Sequence, residues 1–344
     1  MNPSMFSRIA DEYHWTVDAS LTSIGSGLIN ETWKIDDGSN TYILQKMNQH
    51  VFLIPEAIDS NLCVLKEYLN THQPEYFLPF PIITREGLSL VKTDCGYYRA
   101  FKYVNESITH DVLVSPDMAY EAAKQFGLFT AKLSGFNISR LKSTIPDFHN
   151  LPLRYRLFSE ACKNGNKERI QKASATIRCL LEKENIVKKY EAFVSHREAM
   201  IRVTHHDTKI SNVLFNHSGK AICVIDLDTV MPGYYTSDIG DMLRTYVCPV
   251  SEEESDLSKI SIRNDFIQAI KEGYFYSMDH FLSSFEKEHF LDSGLFMIYM
   301  QALRFMTDYL ENDRYYGAKY PEHNFNRARN QLTLLDMLIA DSCV

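Results

Sequence analysis

Three polar residues within HHDTKISNVLFNHSGKAICVIDLD, residues 205–228, stand at spacings that suit phosphoryl transfer. Asp207, near the start of a tight loop, can accept the proton of a hydroxyl nucleophile. Asn212, five residues on, and Asp226, beyond a short hairpin, can hold Mg²⁺ against nucleotide phosphates. Lys209 is placed to meet a γ-phosphate and offset charge in the transition state. His205 reads as a buried residue that holds the loop, whereas His206 is open among core, cleft and surface. Asp228 projects from the same strand face as Asp226 if that strand continues, within reach of Mg²⁺ through water or of a substrate hydroxyl. Asp238 and Asp241 are expected to cap and brace the helix that follows.

Such chemistry needs a nucleotide site, and the N-terminal third offers one. Gly25 and Gly27 in LTSIGSGLINETW lie where a first strand turns into a second, so amides freed of side-chain bulk can approach phosphates. The next strand, TYILQKM, ends in Gln45 and Lys46 on opposite faces, and only one can point into the cleft. Lys46 is preferred, because a cation is the more useful group beside phosphate. Glu56 and Glu67 on the following helix are candidate partners for it.

The elements that must carry these residues follow from periodicity. Residues 21–104 read as an antiparallel sheet of about five strands, with one hairpin around DDGSN and a second in which PFPIIT and LSLVK flank REG. A helix interrupts them in IPEAIDSNLCVLKEYL, with Ile58, Leu62, Leu65 and Leu69 on one face. After residue 105 the chain turns helical, first in SPDMAYEAAKQFGLFTAKL with Ser115 as N-cap and Pro116 in the first turn. Further helical stretches fall near 153–163, 166–197, 262–280, 294–311 and 325–341. VLFN and AICVID are the clear strands of this half. The expectation is an α+β chain in two lobes, 1–104 for nucleotide and 105–344 for catalysis and acceptor.

Composition narrows the partners. At 344 residues, with 45% apolar and 23% charged, the chain can bury a sizeable core. A net charge of −8 without a basic stripe argues against nucleic acid. The seven cysteines are scattered without a CxxC pair, so they read as reduced thiols rather than a disulfide or zinc framework. No stretch approaches the ~18 apolar residues of a membrane span, and residues 1–15 lack a signal-peptide pattern. A cytoplasmic protein is expected. The acidic run SEEESD, 251–256, reads as a solvated loop or helix start.

HHDTKISN resembles the HxDxxxxN catalytic loop of the aminoglycoside phosphotransferase and choline kinase superfamily, and VIDLD resembles its metal-binding IDxD segment. GSGLINETW is similar to the family's phosphate loop, with two glycines here, and His206 stands where the family often has glycine. More narrowly, YILQKMN, HHDTKISNVLF, VIDLDTVMPG, DIGDMLR and ALRFMTDYLENDRYY resemble the N-acetylhexosamine kinase branch. The resemblance implies a protein-kinase-like fold, ATP and Mg²⁺ as cofactors, and an adenine-binding hinge at FKYV with Lys102 and Tyr103. It also implies transfer to the anomeric hydroxyl of GlcNAc or GalNAc.

For the sugar, GLFMIYMQALRFMTDYLEN is apolar all round except Gln301, Arg304, Asp308 and Glu311, whose spacing lays them along one helix face. Arg304 and Asp308, with His206 and Asp228, are the expected substrate contacts; an Arg304–Asp308 surface ion pair is the plainer reading. Arg244, Tyr315 and Tyr316 are read as packing. The rival acceptors are an aminoglycoside, choline or an amino-acid hydroxyl. Two other classes compete: a metal-dependent hydrolase using His205, His206, Asp207, Asp226 and Asp228, and a nucleotide-binding module without turnover.

Overall fold

The computed structural model describes residues 1, 3–16, 19–24 and 29–342. Gly25 and Gly27 lie outside the described residues. The N-terminal part comprises α1 (Pro3–Glu12), β1 (Ser20–Ser23), β2 (Glu31–Asp36), β3 (Thr41–Lys46), α2 (Pro55–His72), β4 (Val91–Thr93) and β5 (Gly96–Lys102). Its described strands form an antiparallel five-stranded sheet in the order β1-β2-β3-β5-β4. The β2–β3 hairpin closes at DDGSN, where the Asp37 carboxylate accepts from the Ser39 and Asn40 amides and Gly38 takes a φ of 84°. Strand alternation puts Trp33, Ile35, Leu44, Tyr98 and Ala100 on one face, buried against Ile9, Tyr13 and Trp15 at the N-terminus.

The expected second hairpin is placed differently. β4 pairs with β5 around Asp94 and Cys95, while PFPIIT makes only a single bridge, Pro81 to Phe101. Pro79 and Pro81 have no N–H to give a ladder, so this segment cannot pair as a full strand. α2 forms where expected, burying Ile58, Leu62, Leu65 and Leu69. Its Asn61, also buried, donates to the Lys142 and Val230 carbonyls at 2.8 and 3.1 Å and ties the helix to the segment after Asp226.

The C-terminal part is mainly helical: α3 (Pro116–Lys132), α4 (Leu151–Asn164), α5 (Lys167–Lys172), α6 (Ser174–Leu181), α7 (Asn185–Val194), α8 (Tyr235–Tyr246), α9 (Asn264–Met278), α10 (Ser284–Glu288), α11 (Phe290–Leu310) and α12 (His323–Ser342). Ser115 Oγ accepts from the Met118 amide and caps α3, whose Ala122, Phe126 and Phe129 are fully buried. Each phenylalanine contributes roughly 2–3 kcal/mol by burial. α11 is the central helix, flanked by α4, α8 and α12. Gly240 lets α8 approach the Ser293 carbonyl of α11 so closely that a Cβ would collide with it.

Two expectations for this half are corrected. The single stretch at 166–197 is three helices: the corner at Ala173 is buried, and the polar run Glu182–Glu184 has no apolar face to carry a helix through. Besides β8 (Val213–Asn216) and β9 (Ala221–Val224), β7 (Ile201–Thr204) pairs with β10 (Met231–Tyr234), and β6 (Ser107–Ile108) with β8. These strands are too short to show alternation. Among the described residues no helix is long and apolar enough to cross a membrane. The expected α+β class, an antiparallel sheet followed by a helical part, is the one observed.

Candidate active site

β7 delivers residues 205–208 to the top of α8, and α8 fixes them through their backbone. Asp238 accepts from the His205 and His206 amides at 3.1 and 2.7 Å, and Asp241 from the Thr208 amide at 2.9 Å. Thr208 Oγ1 donates to the Asp238 carbonyl, and the Tyr246 hydroxyl to the Thr208 carbonyl. Asp238 and Asp241, expected to cap and brace their own helix, lie inside it and brace the loop instead. Burial pushes the Asp238 carboxyl up to about 7, against the pull of the two amide donors.

The two histidines point apart. His205 is fully buried, its Nε2 3.0 Å from the Ile225 carbonyl and its ring edge-on to Phe126 and Phe129; burial lowers its pKa. His206 takes a left-handed φ of 66°, a conformation that costs a non-glycine residue about 1 kcal/mol or more. Its imidazole turns toward Thr204 Oγ1 (2.8 Å) and His149 Nδ1 (3.2 Å), and burial pushes its pKa down to about 4. Gly233 on β10 leaves room for that ring, since a Cβ there would overlap the imidazole and Thr204.

Asp207, Asn212, Asp226 and Lys209 converge beside the loop. Burial disfavours an ionised Asp207, but the Lys209 ammonium 3.0 Å away, with help from His205 and Asn212, holds its carboxyl below the ordinary value. The same pairing raises the Lys209 pKa. Asn212 Nδ2 donates to the Asp207 carbonyl and carboxylate at 2.9 and 3.1 Å, which leaves the Asn212 amide oxygen free to face a cation. Burial, then the Asp228 and Asp207 carboxylates, push Asp226 up to about 7, with Arg99 and Lys209 opposing. A crowded carboxylate of this kind, with an amide oxygen on the same loop that accepts no hydrogen bond among the described residues, suits Mg²⁺, which takes one or two protein oxygens and fills its shell with phosphate and water. Among the described residues no three His, Cys, Asp or Glu side chains are grouped to enclose a metal. With His205 and His206 committed elsewhere, the five-residue cluster required by a metal-dependent hydrolase is not assembled.

Asp228 departs from expectation. β9 ends at Val224, Asp226 takes a left-handed φ of 59°, and a short 3₁₀ turn follows at Leu227–Thr229, so Asp228 does not share a strand face with Asp226. It is buried against the sheet, 2.5 Å from Arg99 of β5, and accepts from Asn30 at 2.8 Å. Arg99 stands directly opposite Gln45 in the ladder, and Gln45 Oε1 accepts from its Nε and one Nη at 3.1 and 2.9 Å. Lys46 faces the other side of the sheet and pairs with Glu31 at 3.2 Å. Neither expected carboxylate reaches it: Glu56 accepts from the Tyr97 hydroxyl, and Glu67 pairs with Arg140. At the strand end Lys102 is exposed, while Tyr103 donates its amide to Thr41 and lies under Lys34.

On the other side of His206 the structure gathers Phe148, His149, Arg154 and Arg304. The Arg304 guanidinium lies 5.4 Å from the Phe148 and Tyr316 rings and 5.8 Å from Tyr315, and donates to Gln301 at 3.2 Å. Burial, then nearby Arg304, lowers the Arg154 pKa. Neither arginine pairs with a carboxylate among the described residues, so the Arg304–Asp308 ion pair does not form. Asp308 is spent on structure: it accepts from the Tyr315 and Tyr316 amides at 2.7 and 2.9 Å and from Asn324 at 3.0 Å. Glu311 caps the helix, exposed. Arg244 is buried between Asp241 and Glu252, and Glu252 also pairs with Arg327. Part of the acidic run 251–256 is therefore an ion-pair network, not a solvated loop.

Residues that carry the site yet escaped sequence reasoning are Asn30, Asn61, Arg99, His149 and Arg154. Arg99 left a signal: in YYRAFK it is a charge on the face of Tyr97 and Phe101. The others left none.

Residues 20–260 match the family described as the phosphotransferase enzyme family. Among solved structures the chain is similar to a microcompartment-associated aminopropanol kinase, with 16% identity, TM-score 0.67, and 99% of this chain and 98% of that one covered. It is similar also to spectinomycin phosphotransferase in complex with ADP and spectinomycin (12%, TM-score 0.63, 99% and 98% covered). A third similar structure is choline kinase from Cryptosporidium parvum Iowa II (15%, TM-score 0.59, 100% and 98% covered). The two-lobe, kinase-like fold is common to all.

Proposed function

The chain belongs to the phosphotransferase enzyme family, and from that premise we propose that it transfers the γ-phosphoryl group of ATP to the anomeric hydroxyl of an N-acetylhexosamine, GlcNAc or GalNAc. Residues 1–104 form the nucleotide-binding lobe in this reading, and 105–344 the lobe for catalysis and acceptor. Asp207 accepts a hydrogen bond from the acceptor hydroxyl and takes its proton as the oxygen bonds to the γ-phosphorus. The bond from that phosphorus to the β–γ bridging oxygen breaks, and ADP leaves with the electron pair. Lys209, 3.0 Å from Asp207, offsets charge on the transferring group. Asn212 and Asp226 are the residues that would hold Mg²⁺, whose chemistry is to neutralise the phosphates and keep them in line.

One observation supports a neutral, oxygen-rich acceptor: Arg304 and Arg154 lie near His149, the neighbour of His206, with no salt-bridged carboxylate among the described residues, beside Phe148, Tyr315 and Tyr316. His206 is neutral at pH 7, so the imidazoles add no charge. Guanidinium donors suit hydroxyl and acetamide oxygens, aromatic faces suit the sugar's C–H surface, and two guanidinium charges without a salt-bridge partner among the described residues disfavour the ammonium of an amino alcohol. The test is a set of specificity constants for GlcNAc, GalNAc, aminopropanol, choline and spectinomycin with saturating MgATP. The reading expects an N-acetylhexosamine to lead by a hundredfold or more; a cationic acceptor in that place would replace it.

A further inference from the structure

We propose that Arg99, not Lys46, is the cation that meets the nucleotide phosphates from the sheet side of the cleft. The inference rests on the phosphoryl-transfer reading above and deepens it. Strand alternation decides which side chains of β3 and β5 share a face: Gln45 and Arg99 on one, Lys46 and Tyr98 on the other. On the second face Trp33, Leu44 and Tyr98 are covered by Ile9, Tyr13 and Trp15, and Lys46 at the strand end is matched by Glu31. The first face looks toward Asp228 and the metal-site carboxylates, and its β3 residue, Gln45, is neutral.

Arg99 supplies the missing charge. Only 3% exposed, it stands 2.5 Å from Asp228, and its charge reaches Asp226. Gln45, held by two of its N–H groups, fixes the plane of the guanidinium. The contact with Asp228 is one of charge rather than an aligned hydrogen bond, since Asp228 Oδ1 accepts none. A guanidinium has five N–H donors in a fork that matches phosphate oxygens, so Arg99 can keep Gln45 and still serve a phosphate. Lys34 shares the face but pairs in the ladder with Ile43 and lies 4.6 Å over the Tyr103 ring, at the other end of the strand from Asp228. Asn30 completes the arrangement, tying Asp228 to the Asn48 amide just past β3.

The test compares binding of MgADP and metal-free ADP with binding of adenosine, which has the base and ribose but no phosphate. Arg99→Met is expected to weaken both MgADP and metal-free ADP tenfold or more while adenosine changes less than twofold, a split that neither a structural role nor an effect through Asp226 alone would produce. Adding Gln45→Lys, which returns a cation to the same face, restores most of the loss. Lys46→Ala leaves all three ligands within twofold. A tenfold loss of MgADP in Lys46→Ala overturns the assignment, as does a folded Arg99→Met that binds MgADP like the wild type. Where melting shows that Arg99→Met is unfolded, Lys46→Ala decides: unchanged MgADP affinity supports Arg99, and a tenfold loss overturns it. Wild-type protein that binds neither MgADP nor adenosine overturns the parent reading as well.

Discussion

The two walls of the site are held by different means. On the helical wall, residues 205–208 hang by their backbone amides from Asp238 and Asp241, two carboxylates of one helix that follows the loop by 32 to 33 residues. On the sheet wall, Asp228 is held by side chains far away in the chain, Arg99 of β5 and Asn30 just before β2. Amide bonds fix the path of the chain whatever side chains it carries, which suits a loop that must present Asp207 at one place. Side-chain charges fix a potential, which suits a wall that receives phosphates in the proposed reading.

That difference orders what substitutions should do. Asp207→Ala, on the helical wall, should lower turnover by about 10³-fold, the middle of the range for a positioned general base, with MgADP affinity within twofold of wild type. Turnover reduced only severalfold would move the proton acceptor elsewhere. Asp238→Ala removes the acceptor of two buried amides and should lower stability by about 2–4 kcal/mol in urea titration. A smaller loss would mean that water replaces the carboxylate.

On the helical wall His206 makes an acid-sensitive contribution, opposed there by the raised Asp238 carboxyl. The folded pKa of His206, about 4, is below its unfolded value near 6.5, so the unfolded chain binds more protons as pH falls. Stability from this group is complete above pH 6.5, falls below it and levels off near pH 4. The expected loss at pH 5 is about 2 kcal/mol from this histidine, and His149 and His205 shift in the same direction. Because the raised Asp238 and Asp226 carboxyls act in the opposite sense, the contribution is measured as the difference in the pH 7 to pH 5 stability change between wild type and His206→Asn; an equal change in both proteins would place a charged imidazole in the fold.

Arg304→Met should raise the KM for an N-acetylhexosamine about tenfold, the effect of one lost charged hydrogen bond, and leave that for ATP unchanged. A change in both would assign the arginine to the fold rather than the acceptor. Smallest of all is Glu31→Gln, which breaks the half-exposed pair with Lys46 and should cost less than about 0.5 kcal/mol, with ATP kinetics unchanged.

The same contrast explains what could be read from sequence. The helical wall was legible because its chemistry lies in one run: Asp207, Lys209, Asn212 and Asp226 fall within twenty residues and converge as their spacing implies. The amphipathic helices were equally plain, α2 burying the face named for it and α3 starting at the Ser115 cap. The sheet wall was legible only in outline. Alternation separates Gln45 from Lys46 but does not say which face meets the cleft, since that depends on α1 covering the other. Arg99 and Asp228 are far apart in the chain, and only the folded ladder makes them neighbours. Asp228 was misread because a left-handed residue at Asp226 ends the strand, and Asp308 because the loop that consumes its carboxylate has no periodic signature.

The most direct measurement is a proton-coupled phosphorus NMR spectrum of the protein with ATP, Mg²⁺ and GlcNAc or GalNAc. The account predicts a sugar-phosphate doublet, split by the anomeric proton, growing in step with ADP. Inorganic phosphate without that doublet, or an inert sugar beside a phosphorylated amino alcohol, would contradict it.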